Sequence, residues 1–177
     1  MAHRVPVEIV PYDAAWPTRF ELEKAVLLDV FRPVEVQIEH VGSTAVVGLG
    51  AKPIIDIMLG MDHLSAVELR IPDLVARGYE YISRYESEFP ERRLFAKPQW
   101  RPRAFHLHAV ERWTPFWHRL LLFRDFLRQH AEVAVEYCEL KKRLATAFSD
   151  DRDGYARAKT AFIEAAVERA KRALRSP

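Results

Sequence analysis

Polar and apolar positions in the first third of the chain indicate one helix and several strands. Residues 14–31 repeat apolar side chains every three to four positions, which predicts an amphipathic helix with Pro17 in its first turn. Residues 35–42 alternate in polarity, as in a strand with two different faces. Residues 52–59 are almost continuously apolar, which is typical of a strand covered on both faces. A short strand is also predicted at 7–10.

The middle of the chain continues this mixture. A helix is predicted from His63 onward, with Pro72 inside it and Gly78 as its stop, and a strand follows. Residues 91–97 and 104–111 are two further strand candidates, joined by a connection that contains two prolines. These patterns together predict a sheet of four to five strands.

The second part of the chain has helical periodicity only. From Thr114 onward, apolar residues recur at steps of three and four through 116–130, 133–148 and 155–174. The acidic stretch 149–154 separates the last two of these helices. We therefore expect an α+β core followed by a helical half.

Length and composition favour a single domain. The chain has 177 residues, of which 49% are hydrophobic and 29% charged, as in ordinary globular proteins. We expect one unit over 1–177, with an α/β core at 5–112 and a helical half at 113–175. The single cysteine, Cys138, excludes a disulfide within the chain and is expected to be an inert core thiol.

Charge and hydropathy limit the classes of binding partner that the sequence predicts. The formal net charge is +2 and the pI is about 8.7, which does not require a polyanion, so a nucleic-acid partner is not favoured. No apolar segment approaches the roughly 20 residues that span a bilayer, and no membrane partner is expected. The N-terminus has no signal-like apolar region, and we expect a cytoplasmic protein of unknown oligomeric state.

A glycine-rich stretch follows the strand at 35–42. Gly42, Ser43 and Thr44 can present N–H groups and hydroxyls to a phosphate, and Lys52 can add a positive charge. The spacing does not match a Walker loop or a dinucleotide fingerprint. On spacing alone, a glycine-rich strand connection with a solvated lysine is the more common interpretation.

One acid and three histidines are the other candidates for chemistry. Asp56 is alone in an apolar strand, where a carboxylate needs a cation or hydrogen-bond donors. His106 and His108 are two residues apart on a predicted strand, so both rings leave one face. His40 precedes the glycine turn and is expected to face the same cleft. The four side chains could hold a metal, contact a phosphate, or form a general base, and solvated histidines remain the alternative.

The string HVGSTAVVGLGAKPIIDI, at 40–57, resembles the GrpB-like family of predicted nucleotidyltransferases. The resemblance continues through FHLHAVE, FRDFLRQH, EYCELKKRLA and YARAKTAFI and covers about residues 7–163. It implies a nucleotidyltransferase-like mixed β-sheet core with a C-terminal helical bundle. Related domains also occur fused to dephospho-CoA kinase.

The resemblance also implies a chemistry. Gly42 and Ser43 would hold the phosphate of a nucleotide or other phosphorylated small molecule, with transfer of a nucleotidyl group as the reaction. Asp56, His106 and His108 would be the catalytic residues. From their residue types, and not from the resemblance, these three and His40 are also expected to bind a divalent metal such as Mg²⁺, Mn²⁺ or Zn²⁺.

This chain departs from the superfamily at its metal site. Nucleotidyltransferases carry an Asp-x-Asp pair, whereas Ile54 and Met58 flank Asp56 at the partner positions. Neither side chain binds Mg²⁺, so the alternative is a non-catalytic nucleotide- or metabolite-binding module that has lost the second acid.

Basic residues complete the expected site. Arg93 lies in a basic segment with Trp100 that suits an acidic ligand, although an exposed loop is the more common interpretation. Arg124 is either a ligand contact or half of an ion pair with Asp125, and the lysines of the later helices could face the cleft. The residues expected to contact the ligand are Gly42, Ser43, Thr44, Lys52, Arg93, Arg124, Lys141 and Lys159. The other members of the basic segment are Arg92, Arg101 and Arg103.

Overall fold

The structure of the protein is a computed structural model that describes residues 6–100 and 102–175. The predicted core boundary at residue 5 and the candidate Arg101 lie outside these ranges. The strands are β1 Gln37–Val41, β2 Ile55–Met61, β3 Glu80–Tyr81, β4 Arg92–Lys97 and β5 Phe105–Glu111. The helices are α1 Trp16–Phe31, α2 Ser65–Glu68, α3 Ile71–Ala76, α4 Pro115–Gln129, α5 Ala131–Ala147, α6 Arg152–Ala158 and α7 Thr160–Arg175. Short 3₁₀ turns lie at Ser43–Ala45 and Ser83–Tyr85.

The described strands form one mixed sheet in the order β1-β2-β5-β4-β3. β2 and β5 are parallel and the other pairs are antiparallel. Asp56 is opposite His106, and Met58 is opposite His108. Because opposed residues share a face of the sheet, the acid and both histidines lie on one side. The α+β fold class with a mixed sheet is therefore confirmed.

The two faces of the sheet are covered differently. Helices α1 and α3 pack on one face, where Ile57 and Leu59 of β2 lie in the largest apolar core. On the other face, Met58 is fully buried with Val110 and Trp117. The apolar run that predicted β2 is thus explained, because both faces of this central strand are covered.

Helix α4 is fixed to the second face by one close contact. A Cβ at Gly60 would lie 2.3 Å from the ring of Trp117, so only glycine lets this tryptophan rest on β2. Thr114 caps the helix by accepting a hydrogen bond from the Trp117 N–H. A second core of apolar residues from α4, α5 and α7 then joins the C-terminal helices into a bundle.

Three element predictions are wrong. The strand at 7–10 is reduced to a single bridge from Val10 to Ala51. The helix predicted from His63 is two short helices, and Pro72 lies in the first turn of the second, where its missing N–H is tolerated. The last predicted helix is divided at Lys159 into α6 and α7. No helix in the described ranges is long and apolar enough to cross a membrane.

Candidate functional site

A cleft of about 260 Å³ opens between the sheet and helices α5 and α6. The sheet contributes Asp56, His106 and His108, the 3₁₀ turn contributes Ser43 and Thr44, and Lys52 precedes β2. The helices contribute Lys141, Tyr155, Ala156 and Lys159. The structure therefore brings most of the predicted site residues together.

Asp56 faces the two histidines. Its Oδ1 atom lies 3.3 Å from Nδ1 of His106 and 3.6 Å from Nε2 of His108. Burial raises the pKa of Asp56, but hydrogen bonds from both imidazoles and their charges outweigh it and hold the pKa well below its usual range. Burial lowers the pKa of His108, and Asp56 opposes this shift. The acid is therefore ionised, with imidazole donors as its partners.

Arg92 determines which ring nitrogen of His108 carries the hydrogen. One guanidinium nitrogen, Nη1, lies 3.5 Å from Nδ1 of His108. A guanidinium only donates, so Nδ1 accepts and Nε2 carries the hydrogen toward Asp56. The sequence analysis predicts Arg93 and not Arg92 as the ligand contact, and only the register of β4 on β5 tells the two residues apart.

The prediction for Arg93 is corrected by that register. Arg93 is opposite Ala109, so it lies on the face away from His108. Its guanidinium binds Glu68 at 2.8 Å, and Glu86 lies 3.8 Å away. Arg93 is therefore an ion-paired residue of the other face and not a contact of the cleft.

The glycine turn touches the carboxylate. Gly42 has φ 72° and ψ −171°, in a region that is essentially restricted to glycine. A Cβ at this position would lie 2.5 Å from Oδ2 of Asp56. The absence of a side chain is what lets the turn at Ser43 approach the acid.

His40 does not join the cluster. It is opposite Ile57 and therefore lies on the face away from Asp56, where its ring stacks on Phe20 at 4.7 Å. Its Nε2 atom is 2.9 Å from the Thr44 hydroxyl. The predicted role of His40 as a metal ligand beside Asp56 is corrected. His40 shares a face with Ile57, and Ile57 points to the opposite face from its neighbour Asp56.

Acid should destabilise the protein through His40. Burial lowers its pKa to about 4, so below pH 6.5 the unfolded chain binds a proton that the folded state does not. We expect about 2 kcal/mol of stability to be lost through this residue between pH 7 and pH 5. In His40→Gln, urea unfolding should show a correspondingly smaller loss. The exposed control His118→Gln should keep the parent's acid sensitivity, and an equal loss in all three proteins would contradict the assignment.

The predicted role of Arg124 as a ligand contact is also corrected, because Arg124 is a structural residue. Its guanidinium binds Glu39 of β1 at 2.8 Å and the backbone oxygen of His40 at 3.1 Å, and it pairs with Asp125. It therefore joins α4 to β1. A larger groove of about 900 Å³ passes Arg124, His40 and Cys138, but Asp56 and the cleft lysines do not line it.

Two lysines flank Tyr155 in the cleft, and a third lies buried nearby. Lys52 and Lys159 lie with their Nζ atoms 4.8 and 4.6 Å from the ring centre of Tyr155. Lys141 is 2% exposed, and its ammonium donates to the backbone oxygen of Gly50. Tyr155 is absent from the predicted site residues, because its contact with Lys52 depends on how α6 packs against the segment before β2.

The lysines carry shifted pKa values. Burial, together with the charges of Lys159 and Lys52, lowers the pKa of Lys141 to about 7. Burial and the charge of Lys52 lower the pKa of Lys159 to about 8. Both shifts reflect the cost of positive charge in a cleft where Asp56 is the only carboxylate among the described lining residues.

The residues present do not fit a two-cation centre. Among residues 6–100 and 102–175, no three His, Cys, Asp or Glu side chains are arranged to hold a metal ion. Met58, at one position of the missing acid, is fully buried, and Ile54 occupies the other. A divalent cation here stays a prediction.

Comparison with solved structures shows the class of fold to which this chain is similar. The chain aligns with the crystal structure of the Cid1 poly(U) polymerase with a TM-score of 0.54 and 15% identity. The alignment covers 78% of this chain and 43% of the polymerase. The fold is therefore nucleotidyltransferase-like.

The family is shown by sequence. The family model described as "GrpB protein" matches residues 6–169, and the chain belongs to the GrpB family. The crystal structure of GrpB from Enterococcus faecalis aligns with a TM-score of 0.86 and 33% identity, covering 96% of this chain and all of that one. The family resemblance seen in the sequence is confirmed.

Two relatives are longer than this chain. The Bacillus subtilis protein YqkA is 39% identical over 166 residues, which are 94% of this chain and 48% of the relative. A dephospho-CoA kinase of Mycolicibacterium paratuberculosis is 26% identical over 196 residues, covering 94% of this chain and 46% of the kinase. The chain thus spans about half the length of each.

Proposed function

We propose that the cleft binds the phosphate groups of a nucleotide or another phosphorylated small molecule. The observation that carries this proposal is the group of three lysines, Lys52, Lys141 and Lys159, around a cleft lined by one carboxylate. Ammonium groups held this close repel one another, and burial adds a desolvation cost. A bound polyanion offsets both, and lysine is a common phosphate ligand.

The opposite wall of the cleft suits the same ligand. The hydroxyl of Ser43 lies at the start of a 3₁₀ turn beside Asp56 and can donate to a phosphate oxygen. Across the cleft, Tyr155 is almost fully buried and has Lys52 and Lys159 over its ring, so it positions both ammonium groups for the same ligand. A phosphate between Ser43 and the lysines would lie next to the imidazole–carboxylate cluster.

Nucleotidyl transfer is the second candidate function. The fold is that of nucleotidyltransferases, and His108 has a fixed tautomer next to an ionised acid. In such a reaction Asp56 or a histidine would accept the proton of the attacking hydroxyl while the lysines stabilise the phosphate charge. The missing second acid instead favours binding without transfer.

Calorimetric titration tests the binding proposal. We expect one of the four nucleoside triphosphates to bind the parent, and Lys159→Gln to bind it about tenfold more weakly, as when one charged hydrogen bond is lost. Lys171→Gln is the matched control, because Lys171 is on α7, paired with Glu168 at 2.7 Å and exposed. Equal affinity in all three proteins, or no binding of any nucleotide, would refute the site.

The same titrations separate the two candidates. Repeating them with Mg²⁺ or Mn²⁺ and measuring pyrophosphate release with an added hydroxyl acceptor tests transfer directly. Binding without pyrophosphate release would support the non-catalytic module. Release that Asp56→Asn abolishes would support transfer.

A further inference from the structure

A pair of arginines lies beside His108, outside the lysine cleft. Arg92 of β4 has its guanidinium 4.6 Å from the ring centre of Phe89 and 5.7 Å from that of Phe116. Arg119 of α4 lies 5.4 Å from the same Phe116 ring. Two guanidiniums therefore share one aromatic ring next to a residue of the candidate site.

Neither arginine has a carboxylate partner in the part of the chain that the structure describes. No acid lies within 4.0 Å of either guanidinium, and Glu88 and Glu91 act on Arg92 only from farther away. The neighbouring Arg93 shows the contrast, since Glu68 lies 2.8 Å from it. Burial lowers the pKa of Arg92, and the charge of Arg119 lowers it further.

Stacking leaves the arginines able to bind an anion. A contact between a guanidinium and an aromatic ring does not use up the N–H donors, which remain available in the plane of the guanidinium. One N–H of Arg92 is directed toward His108, and the others remain for a ligand. Planar guanidinium groups match the oxygens of phosphates and carboxylates in two-point contacts.

We propose that Arg92 and Arg119 form a second anion-binding subsite, beside His108, for a phosphate or carboxylate group. The two positive charges, with no described acid within 4.0 Å of them, are stabilised when an oxyanion binds between them. The subsite stands on its own contacts and does not depend on a nucleotide in the lysine cleft. If both sites bind at once, His108 lies between the two anions.

Nuclear magnetic resonance of the ¹⁵N-labelled protein tests the subsite. The probes are inorganic phosphate and, separately, succinate, each at constant ionic strength held with potassium chloride. We expect saturable shifts of the backbone amides at 92–94 and 116–119 with at least one probe. A response to phosphate alone or to succinate alone identifies the group that the subsite takes.

Four variants complete the experiment. Arg119→Gln and Arg92→Gln should each weaken the probe about tenfold at these amides, as expected for a lost charged contact. Arg84→Gln is the control, because Arg84 contacts Tyr85, donating to its hydroxyl at 2.9 Å, and not Phe116, so it should leave the affinity unchanged. Arg119→Lys keeps the charge and loses the planar contact, so an intermediate affinity is expected.

Two outcomes would overturn the subsite. The first is no saturable shift at 92–94 and 116–119 with either probe. The second is unchanged affinity in both glutamine variants. The amides at 43–45 report the lysine cleft separately, so failure of one site is distinguishable from failure of the other.

Discussion

Gly42→Ala is expected to destabilise the protein by about 3 kcal/mol or more, since backbone strain and overpacking each cost about 1–3 kcal/mol. The backbone at this position, with φ 72° and ψ −171°, is in a region that side chains avoid. The new methyl group would also lie 2.5 Å from Oδ2 of Asp56. Urea unfolding measures the loss, and nucleotide titration of any folded fraction should show weaker binding because the turn is displaced.

Gly48→Ala is the matched control for this change. Gly48 also has a positive φ, of 80°, but a Cβ there would meet nothing within 4 Å. We expect it to cost only the backbone strain, about 1–2 kcal/mol, and to leave binding intact. Equal losses in the two variants would show that the contact with Asp56 does not matter.

Lys141→Met is expected to stabilise the protein by about 2 kcal/mol at pH 7 while weakening phosphate binding, because a buried charge is replaced by an apolar chain of similar size. Lys141 is 2% exposed and lies near two other lysines. The stabilisation is smaller than removal of the buried charge alone would give, because the oxygen of Gly50 loses its donor. Unfolding and nucleotide titration of the same sample measure both effects.

The pH dependence identifies the cause. The folded pKa of Lys141 is about 7, below the ordinary value of 10.5, so between these values the unfolded chain binds a proton that the folded state does not. The stability of the parent should therefore rise from pH 7 to pH 9.5, and the advantage of Lys141→Met should shrink. The control Lys142→Met removes an exposed lysine paired with Glu139 at 2.8 Å and should change stability by about 1 kcal/mol or less. A parent-like stability of Lys141→Met at pH 7 would contradict the prediction.

The sequence predicts the elements of this fold better than their ends. The strands at 91–97 and 104–111 and the helix at 14–31 are found almost as predicted, because their periodicity reflects burial on one face. The short strand at 7–10 has too little pairing to persist, since Val10 alone reaches Ala51. The local pattern of polar and apolar residues does not distinguish a segment that makes one β-bridge from a strand that pairs along its length.

Site residues that lie on the same strand were predictable from the sequence. Site residues whose position depends on the register between two paired strands were not. His106 and His108 share a face in any sheet, and the structure places both by Asp56. Whether His40 shared that face depended on how β1 pairs with β2, and the choice between Arg92 and Arg93 depended on the pairing of β4 with β5. Pairing is a tertiary property, so the sequence left these positions open.

The contact of Trp117 with Gly60 has an electrostatic consequence. The contact fixes α4 to the sheet, and α4 in turn holds the C-terminal bundle there. In that bundle, Lys141 lies in α5 and Lys159 directly follows α6. The sheet and the segment before β2 would present the acid, two imidazoles and Lys52, which is one carboxylate with one ammonium group. With the helices docked, cationic side chains outnumber the carboxylate, so the sign of the cleft's potential is a product of tertiary assembly. A single indole ring on a glycine thus helps decide which charge the cleft attracts.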